Sequence, residues 1–304
     1  MRALALLAMV SAATPATRQQ LLDQAKAELA QGRADQATAL LRSAADRFQS
    51  VQALLELARI QTTRRDSAAL DTLGRARKIA PNSEEVLSAY AQIALARHAP
   101  LPAILALEPL TRMAPSVAQY HYLHGVALLQ AGDMEAGGEA LQRAEKLEPN
   151  RPLTLIALAL ALNSRKLHAE SKAYLLRALE LEPDNVEAIA ALAEAEEGLN
   201  ELAEAEAYAL RALARQGGHA TGNLVLGMVR MKQERYGEAK DALERAVAAD
   251  PDSSKAHYQL SLAYARLGDE ANAHKQVALY QKALREMEER LRQLRAASPD
   301  GTVR

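Results

Sequence analysis

The side chains best suited to chemistry in this sequence are two histidines three residues apart, His121 and His124. On a helix this spacing places both imidazoles on one face, where they could serve as two ligands of a metal ion. A third histidine, His257, has no histidine neighbour at that spacing, and neither an HExxH motif nor a carboxylate at ligand spacing accompanies the pair. The sequence therefore favours a packing role for these histidines and leaves a two-histidine metal site as the alternative.

Motifs for other chemistry are missing from the 304 residues. The sequence contains no GxxxxGK[ST] phosphate loop, no GxGxxG motif and no GxSxG nucleophile elbow. It also contains no cysteine, which excludes disulfides, thiolate metal sites and a cysteine nucleophile. We expect a protein that is not an enzyme and that needs no cofactor and no metal; a catalytic triad assembled from distant segments stays open as an alternative.

Composition and charge narrow the class of protein further. Hydrophobic residues make up 49% of the chain and aromatic residues only 3%, with Ala and Leu dominating. This composition is typical of helices that pack closely through small side chains. The 37 basic residues nearly balance the 38 acidic ones, so no overall positive field attracts nucleic acid or an anionic membrane. We therefore expect no nucleic-acid partner.

The first 17 residues, MRALALLAMVSAATPAT, have the features of a short secretory signal. One arginine precedes an apolar run from residue 3 to residue 10, and small residues follow where a signal peptidase could cut. We predict a signal peptide over residues 1–17 and a periplasmic or secreted protein, with an apolar first helix of a cytoplasmic protein as the alternative. No other stretch is long and apolar enough to cross a bilayer, so the mature chain is predicted to lack a membrane span.

Small residues recur along the chain with a period of 34. They fall at Ala91, Gly125, Ala159, Ala193, Gly227 and Ser261, and again twelve positions later at Ala103, Gly137, Ser171, Ala205, Ala239 and Ala273. Two antiparallel helices approach closely only where side chains are small, so these positions mark helix crossings. Prolines at 115, 149, 183 and 251 share the same period and separate one pair of helices from the next.

This pattern resembles the tetratricopeptide repeat, which has a small eighth residue, alanine at its twentieth and twenty-seventh positions and proline at its thirty-second. The resemblance implies an all-α, right-handed α-solenoid of about eight 34-residue helix-turn-helix repeats with a long C-terminal capping helix. The predicted repeats 1 to 8 are residues 18–50, 51–83, 84–117, 118–151, 152–185, 186–219, 220–253 and 254–287. Residues 288–304 are predicted to form a helix extension and tail.

Three local features follow from this frame. Gly32, Gly132 and Gly268 fall at the turn between the two helices of a repeat, where a positive φ is expected. The pair Gly137–Gly138 places two poor helix formers inside a helix and predicts a locally soft repeat 4. Met287, Leu291 and Leu294 share one stripe of the last helix, which we expect to cover the final repeat.

The resemblance also implies where a partner binds. In this family the second, fifth, ninth and twelfth residues of a repeat's first helix usually line the concave surface. On this chain those positions give the predicted partner-binding residues Tyr122, Val126, Leu129, Leu153, Ile156, Leu160, Asn163, Glu194, Leu224, Met228, Met231, Tyr258 and Leu262. Repeats 1 and 2 contribute Lys26 and Arg59 at the ninth position. An exposed apolar lining favours a peptide or helix of a protein partner.

Seven glutamates and no basic residue occur between residues 186 and 206. They predict either a solvated acidic face or an acidic stretch of groove that attracts basic segments. The fifth residues of the repeats lack the lysine and asparagine set with which some family members clamp a C-terminal carboxylate, so binding of that type is not expected.

The function predicted from the sequence is a non-enzymatic scaffold that binds a peptide or helix segment on the concave face. The alternative is a structural or assembly factor of an envelope complex that acts through its terminal helix. The oligomeric state and the identity of the partner are left open.

Overall fold

The computed structural model describes residues 16–297, and all regular structure in this range is α-helical. The helices are α1 (Arg18–Ala30), α2 (Ala34–Phe48), α3 (Val51–Thr63), α4 (Ala69–Ile79), α5 (Glu84–Ala96), α6 (Pro100–Met113), α7 (Ala118–Ala131), α8 (Met134–Leu147), α9 (Pro152–Ser164), α10 (His168–Leu181), α11 (Val186–Gly198), α12 (Leu202–Arg215), α13 (Ala220–Lys232), α14 (Tyr236–Ala249), α15 (Ser254–Arg266) and α16 (Glu270–Ala297). The predicted leader lies almost wholly outside the described residues, and so does the tail from residue 298 onward.

The chain forms two compact units, Met1–Ile93 and Ala94–Arg304, which we call the N-terminal and C-terminal units. In the N-terminal unit, α1 pairs with α2 and α3 with α4. In the C-terminal unit, α6 packs on α7, and the pairs α7/α8, α9/α10, α11/α12, α13/α14 and α15/α16 follow, each packed on the next. These adjacent helical pairs confirm the predicted all-α repeat fold. Within residues 16–297 no helix has the length and apolarity needed to cross a membrane.

Each turn from the first to the second helix of a repeat contains one residue with positive φ. Gly32, Gly132 and Gly268 have φ of 73°, 95° and 80°, as predicted. The other five turns place non-glycine residues there, namely Arg65, His98, Lys166, Asn200 and Glu234. In these turns too an amide closes back on the helix, as where the Leu167 N–H donates to the Leu162 carbonyl at 2.9 Å beside Lys166. Because this hydrogen bond maintains the turn, glycine favours the conformation but is not required for it.

The helix crossings depend on small residues. A Cβ on Gly125 would lie 2.5 Å from the Leu141 Cγ and 2.9 Å from the Gly137 carbonyl oxygen, and a Cβ on Gly137 would lie 2.7 Å from the Leu129 Cδ2. Gly125 and Gly137 therefore face each other where α7 crosses α8. Of the predicted soft pair, Gly137 belongs to this close contact, whereas a Cβ on Gly138 would come only within 3.9 Å of another residue. The softness of repeat 4 stays a prediction.

The same crossing recurs between α13 and α14 and gives a stability test. A Cβ on Gly227 would lie 2.5 Å from the Leu243 Cγ, so we expect Gly227→Ala to lower the free energy of unfolding by about 1–3 kcal/mol. Gly237, on α14, has no atom within 4 Å of the position of a Cβ. Gly237→Ala should therefore raise stability by about 0.5 kcal/mol through helix propensity. Urea denaturation of both variants checks this, and a Gly227→Ala protein as stable as the parent would contradict it.

Candidate protein-binding grooves

The histidines singled out from the sequence lie at the start of their helices and join neighbouring repeats. The His121 Nε2 lies 2.9 Å from the Pro115 carbonyl oxygen, and the His257 Nε2 lies 2.9 Å from the Pro251 carbonyl oxygen. In repeat 7 the Nδ2 of Asn223 donates to the Gly217 carbonyl at 3.1 Å. Each polar side chain thus binds the carbonyl of the thirty-second residue of the preceding repeat, which confirms the packing role predicted for His121 and His257.

The second histidine of the pair, His124, lines a cleft of about 360 Å³ among α6, α7 and α8. Burial lowers the pKa of His124 to about 4, because the cleft wall excludes the water that would solvate an imidazolium. Over the part of the chain that the structure describes, no three His, Asp or Glu side chains come together as a metal site. His124 is therefore a neutral side chain at neutral pH.

Three glutamates in the acidic stretch of repeat 6 pair with lysines of other helices in the C-terminal unit. The Glu196 carboxylate, 2% exposed, lies 2.9 Å from the Lys172 Nζ of α10, and the Glu197 carboxylate lies 2.8 Å from the Lys232 Nζ of α13. The predicted binding residue Glu194 is 2.6 Å from the Lys255 Nζ of α15. The hydrogen bond that Lys172 donates to the Glu196 carboxylate also raises the pKa of Lys172.

For these three glutamates the ion pairs correct both interpretations of the acidic stretch, whereas Glu201 and Glu204 are exposed, as a solvated acidic face predicts. Glu196 and Glu197 are buried rather than solvated, and Glu194 is already paired with a lysine. The stretch is acidic in sequence because its basic partners come from α10, α13 and α15, which sequence spacing within one repeat does not reveal. A buried carboxylate is stable only with such a partner, so these pairs fix how α11 packs against its neighbours.

Part of the predicted concave lining is buried by neighbouring helices. Four of the thirteen predicted residues are less than a tenth exposed: Ile156, Asn163, Leu224 and Met228. In the C-terminal unit, α11 contacts both α9 and α13 directly, and the Asn163 Nδ2 donates to the Ala191 carbonyl at 3.0 Å. The buried alanines of α11 allow this close approach. These four side chains do not face a groove that a partner could enter without repacking of the helices.

The other predicted residues are accessible to different degrees. Tyr122, Val126, Leu129, Leu160, Glu194 and Met231 are half-buried, and Leu153, Tyr258 and Leu262 are exposed. Leu153 is 51% exposed, and the Tyr258 ring lies 5.4 Å from the ring of Tyr280 on α16. The accessible part of the predicted surface is therefore spread over α7, α9, α11, α13 and α15, and its most exposed residues are at the start of α9 and on α15.

The N-terminal unit has two open clefts on the face formed by its odd-numbered helices. The α1–α3 cleft, of about 200 Å³, is lined by Leu22, Ala25, Lys26, Leu29, Leu41, Gln52, Glu56 and Arg59. The α3–α5 cleft, of about 330 Å³, is lined by Leu55, Glu56, Ala58, Arg59, Thr62, Thr63, Leu73, Glu85, Ala89, Gln92 and Ile93. Leu41 and Leu73, which are almost fully buried, occupy corresponding places on α2 and α4. The two clefts are thus equivalent gaps, one between repeats 1 and 2 and the other between repeats 2 and 3.

One ion pair separates the two clefts. The Arg59 Nη2 lies 2.7 Å from the Glu56 Oε2, and both residues line both clefts. The sequence identified Lys26 and Arg59 at this surface but assigned no apolar binding residue to repeats 1 and 2. The clefts could have been predicted from three leucines at binding positions of these repeats. Leu22 and Leu55 are at the fifth position, and Leu29 is at the twelfth.

The terminal helix reaches back to repeat 4. Helix α16 is 28 residues long, and its side chains of Met287 and Leu291 lie over Gly132, at the turn between α7 and α8. A Cβ on Gly132 would be 3.1 Å from the Met287 Cγ and 3.7 Å from the Leu291 Cγ. Leu294, the third member of the predicted stripe, is only 1% exposed. The long C-terminal helix is therefore confirmed, and Met287 and Leu291 of its stripe lie over the turn that follows α7. That the stripe also covers the final repeat stays a prediction.

Family models of the tetratricopeptide repeat match this chain over most of its length. One matches residues 22–84, 90–152 and 224–299, and a second matches residues 154–185. The chain belongs to the tetratricopeptide repeat family. Members of this family generally form a non-catalytic scaffold fold that binds proteins or peptides.

Solved structures share the fold at low sequence identity. A tetratricopeptide repeat protein from Parabacteroides merdae ATCC 43184 superposes with a TM-score of 0.64 at 14% identity, covering 81% of this chain and 98% of that one. A monomeric mutant of IFIT1 with Gppp-AAAA superposes with a TM-score of 0.58 at 16% identity, covering 92% of this chain and 72% of that one. No curated protein sequence matches the chain significantly. At these identities the likeness is one of fold.

The ion pair between Lys172 and the buried Glu196 gives a test of the electrostatic arrangement. We expect Lys172→Met to lower the free energy of unfolding by about 1–3 kcal/mol, because it leaves the Glu196 carboxylate buried without its counter-charge, while the exposed side of the pair is screened by water. Adding Glu196→Gln should recover part of that loss. Urea denaturation measures both changes.

A surface pair provides the matched control. The Asp241 carboxylate, whose Oδ1 lies 3.2 Å from the Lys240 Nζ, is 59% exposed and stays solvated without its lysine, so Lys240→Met should leave stability within experimental error. Equal effects of Lys172→Met and Lys240→Met would show that burial of Glu196 does not matter to the fold.

Proposed function

We propose that this protein is a non-enzymatic scaffold that binds a peptide or helix segment of a partner protein in the clefts of its N-terminal unit. The observation that carries the proposal is the pair of equivalent open clefts between α1 and α3 and between α3 and α5. Family membership supports protein binding in general. The clefts provide a specific surface whose apolar and charged side chains can contact apolar and polar side chains of a partner.

The chemistry of the clefts indicates the kind of segment they accept. Each has a leucine at its base, Leu41 in one and Leu73 in the other, with apolar walls that include Leu29 and Leu55. Lys26 and the Glu56–Arg59 pair supply charge at the edges. A segment with an apolar side chain for each cleft and a polar group between them matches this arrangement.

The spacing of the clefts limits the partner's sequence. Helices that pack side by side are about 10 Å apart, so corresponding points of the two clefts are separated by roughly that distance. A helix covers about 10 Å in seven residues, and an extended chain covers it in three. The proposed segment therefore carries its two anchors at i and i+7 if helical, or at i and i+3 if extended.

Capture of the partner from cells that make this protein tests the proposal. We expect Leu55→Glu with Ile93→Glu to abolish capture, because both half-buried side chains line the α3–α5 cleft and a carboxylate there meets apolar walls. The partner is identified by mass spectrometry, and its segment is then synthesised for calorimetric titration. Circular dichroism confirms that the variant remains helical.

The control replaces two apolar side chains that lie outside the clefts. Phe48 and Ile79 are 39% and 40% exposed and line neither cleft. The variant Phe48→Glu with Ile79→Glu introduces the same charge and should retain capture. If the cleft variant captures the partner as well as the control does, the clefts are not the binding site.

The second candidate function is a structural or assembly factor of an envelope complex that acts through the terminal helix. The 28-residue length of α16 favours it, since the helix continues well beyond the final repeat. Against it, the apolar stripe of that helix contacts α7 of its own chain. Light scattering at increasing protein concentration separates the two, because assembly through α16 requires a rise in mass that depends on this helix.

We also propose that the protein is exported to the periplasm or secreted, with residues 1–17 as a cleaved signal peptide. The motif of one arginine, an apolar run and small residues supports this. We expect N-terminal sequencing of the native protein to begin beyond the apolar run. A chain that still carries residues 3–10 would favour a cytoplasmic location.

A further inference from the structure

The two halves of α16 are held in different ways. Near its start, Ala273 is buried and the Gln276 Oε1 lies 2.7 Å from the His257 Nδ1 of α15. Further along, the Tyr280 ring stacks beside Tyr258 at 5.4 Å. These contacts anchor the first half to the final repeat. The second half, residues 284–297, extends past them and lies against the turn between α7 and α8.

The second half presents one apolar stripe to the C-terminal unit. Its members are Leu284, Met287, Leu291 and Leu294, spaced three and four residues apart, and all are at least half-buried. The opposite face is exposed and charged, with Arg285, Glu288 and Arg292 among its residues. The second half of α16 is therefore an amphipathic helix. It packs on its own chain in the way that a helical peptide ligand packs on a binding protein.

The receiving surface is suited to a helix because Gly132 has no side chain. Met287 and Leu291 approach its Cα closely, since even a Cβ would come within 3.1 Å of the Met287 Cγ. Gly132 has φ of 95°, a left-handed conformation that glycine adopts without strain. Predicted binding residues Val126 and Leu129 are on α7, the helix that ends at this turn, and both are only half-buried.

We propose that the surface at the turn between α7 and α8 is a docking site for an amphipathic helix, and that a partner helix with the same apolar spacing replaces the second half of α16 there. This inference rests on the proposed function, binding of a helical segment of a partner, and adds a second site in the C-terminal unit. The second half of α16 can leave without unfolding the repeat, because the first half retains its contacts with α15.

The resident helix sets the affinity that a partner must reach. A segment tethered to its own site has an effective concentration in the millimolar range, so it competes strongly against a free ligand. A partner helix must therefore bind the vacated site tightly enough to displace the tethered second half of α16. The resident helix thereby excludes weak amphipathic ligands.

A fluorescent peptide of residues 280–297 serves as the probe, titrated by anisotropy against three full-length proteins. The release variant, Met287→Glu with Leu291→Glu, places charge on the stripe, and we expect it to bind the probe at least ~10-fold more tightly than the parent does. The locked variant, Gly132→Cys with Met287→Cys, forms a disulfide across the contact and should not bind the probe until it is reduced. The chain has no other cysteine, so this crosslink is unambiguous.

The control carries the same added charge on the exposed face of α16. Gln281 and Ala296 are both exposed, and Gln281→Glu with Ala296→Glu should bind the probe as weakly as the parent does. Circular dichroism checks that all variants keep their helix content. These substitutions leave the N-terminal clefts unchanged, so the capture experiment and this one fail independently.

Three results would overturn the proposal. They are equal affinity of the probe for the parent and release proteins, absence of binding to the release variant, and binding to the crosslinked locked form without reductant. A release variant that dimerises in light scattering and does so through α16 would instead assign the site to a second copy of this chain.

Discussion

The contact on which the rest of this structure depends is the close approach of two helices at a position without a large side chain. At Gly125 and Gly137, and again at Gly227, a single added carbon would overlap a leucine of the facing helix. Leu141 and Leu243 then fill the space beside the crossing and are fully buried. The 34-residue period exists because each pair of helices needs this contact once, and the chain repeats it to build a continuous core.

Differences in side-chain size among the repeats decide where the inner face is open. In α11, five alanines are buried, and the neighbouring α9 and α13 approach it directly. That approach also buries Glu196 and Glu197, whose carboxylates require lysines from adjacent repeats. In the N-terminal unit the corresponding gaps between α1, α3 and α5 remain as clefts. Close packing and ligand access therefore exclude each other along this chain.

Much of the fold could be predicted from the sequence because its determinants are local and periodic. Small residues, prolines and turn glycines each act on their own helix or turn, so the positive φ of Gly32, Gly132 and Gly268 followed from position alone. The turns at Lys166 and Glu234 reach the same geometry through hydrogen bonds without glycine, which the residue type does not show. The all-α class needed nothing further.

The candidate site was harder to predict because accessibility depends on residues far away in sequence. Leu224 and Met228 have the position of binding residues in the repeat, but the contacts between successive helices bury them. The sequence around Glu194 offers no basic partner, but the Nζ of Lys255, 61 residues later in the chain, lies 2.6 Å from its Oε1. Leu29 and Leu55 occupy binding positions of the same repeat frame, but the sequence prediction assigns no apolar binding residue to repeats 1 and 2. The position of a residue in the repeat predicts which face its side chain is on. Whether that side chain is exposed depends on how the neighbouring helices pack.

The return of α16 to Gly132 changes how the C-terminal unit should fold. A linear array of repeats couples each repeat only to its neighbours, so unfolding can start at an end and spread one repeat at a time. Here Met287 and Leu291 contact a turn about 155 residues earlier in the chain, which links the last repeat of the unit to one near its start. Repeats 4 to 8 are thereby joined in a ring of contacts without a free end. Fraying from the C-terminus must break this long-range contact first, so the unit gains cooperativity that its individual repeats do not have.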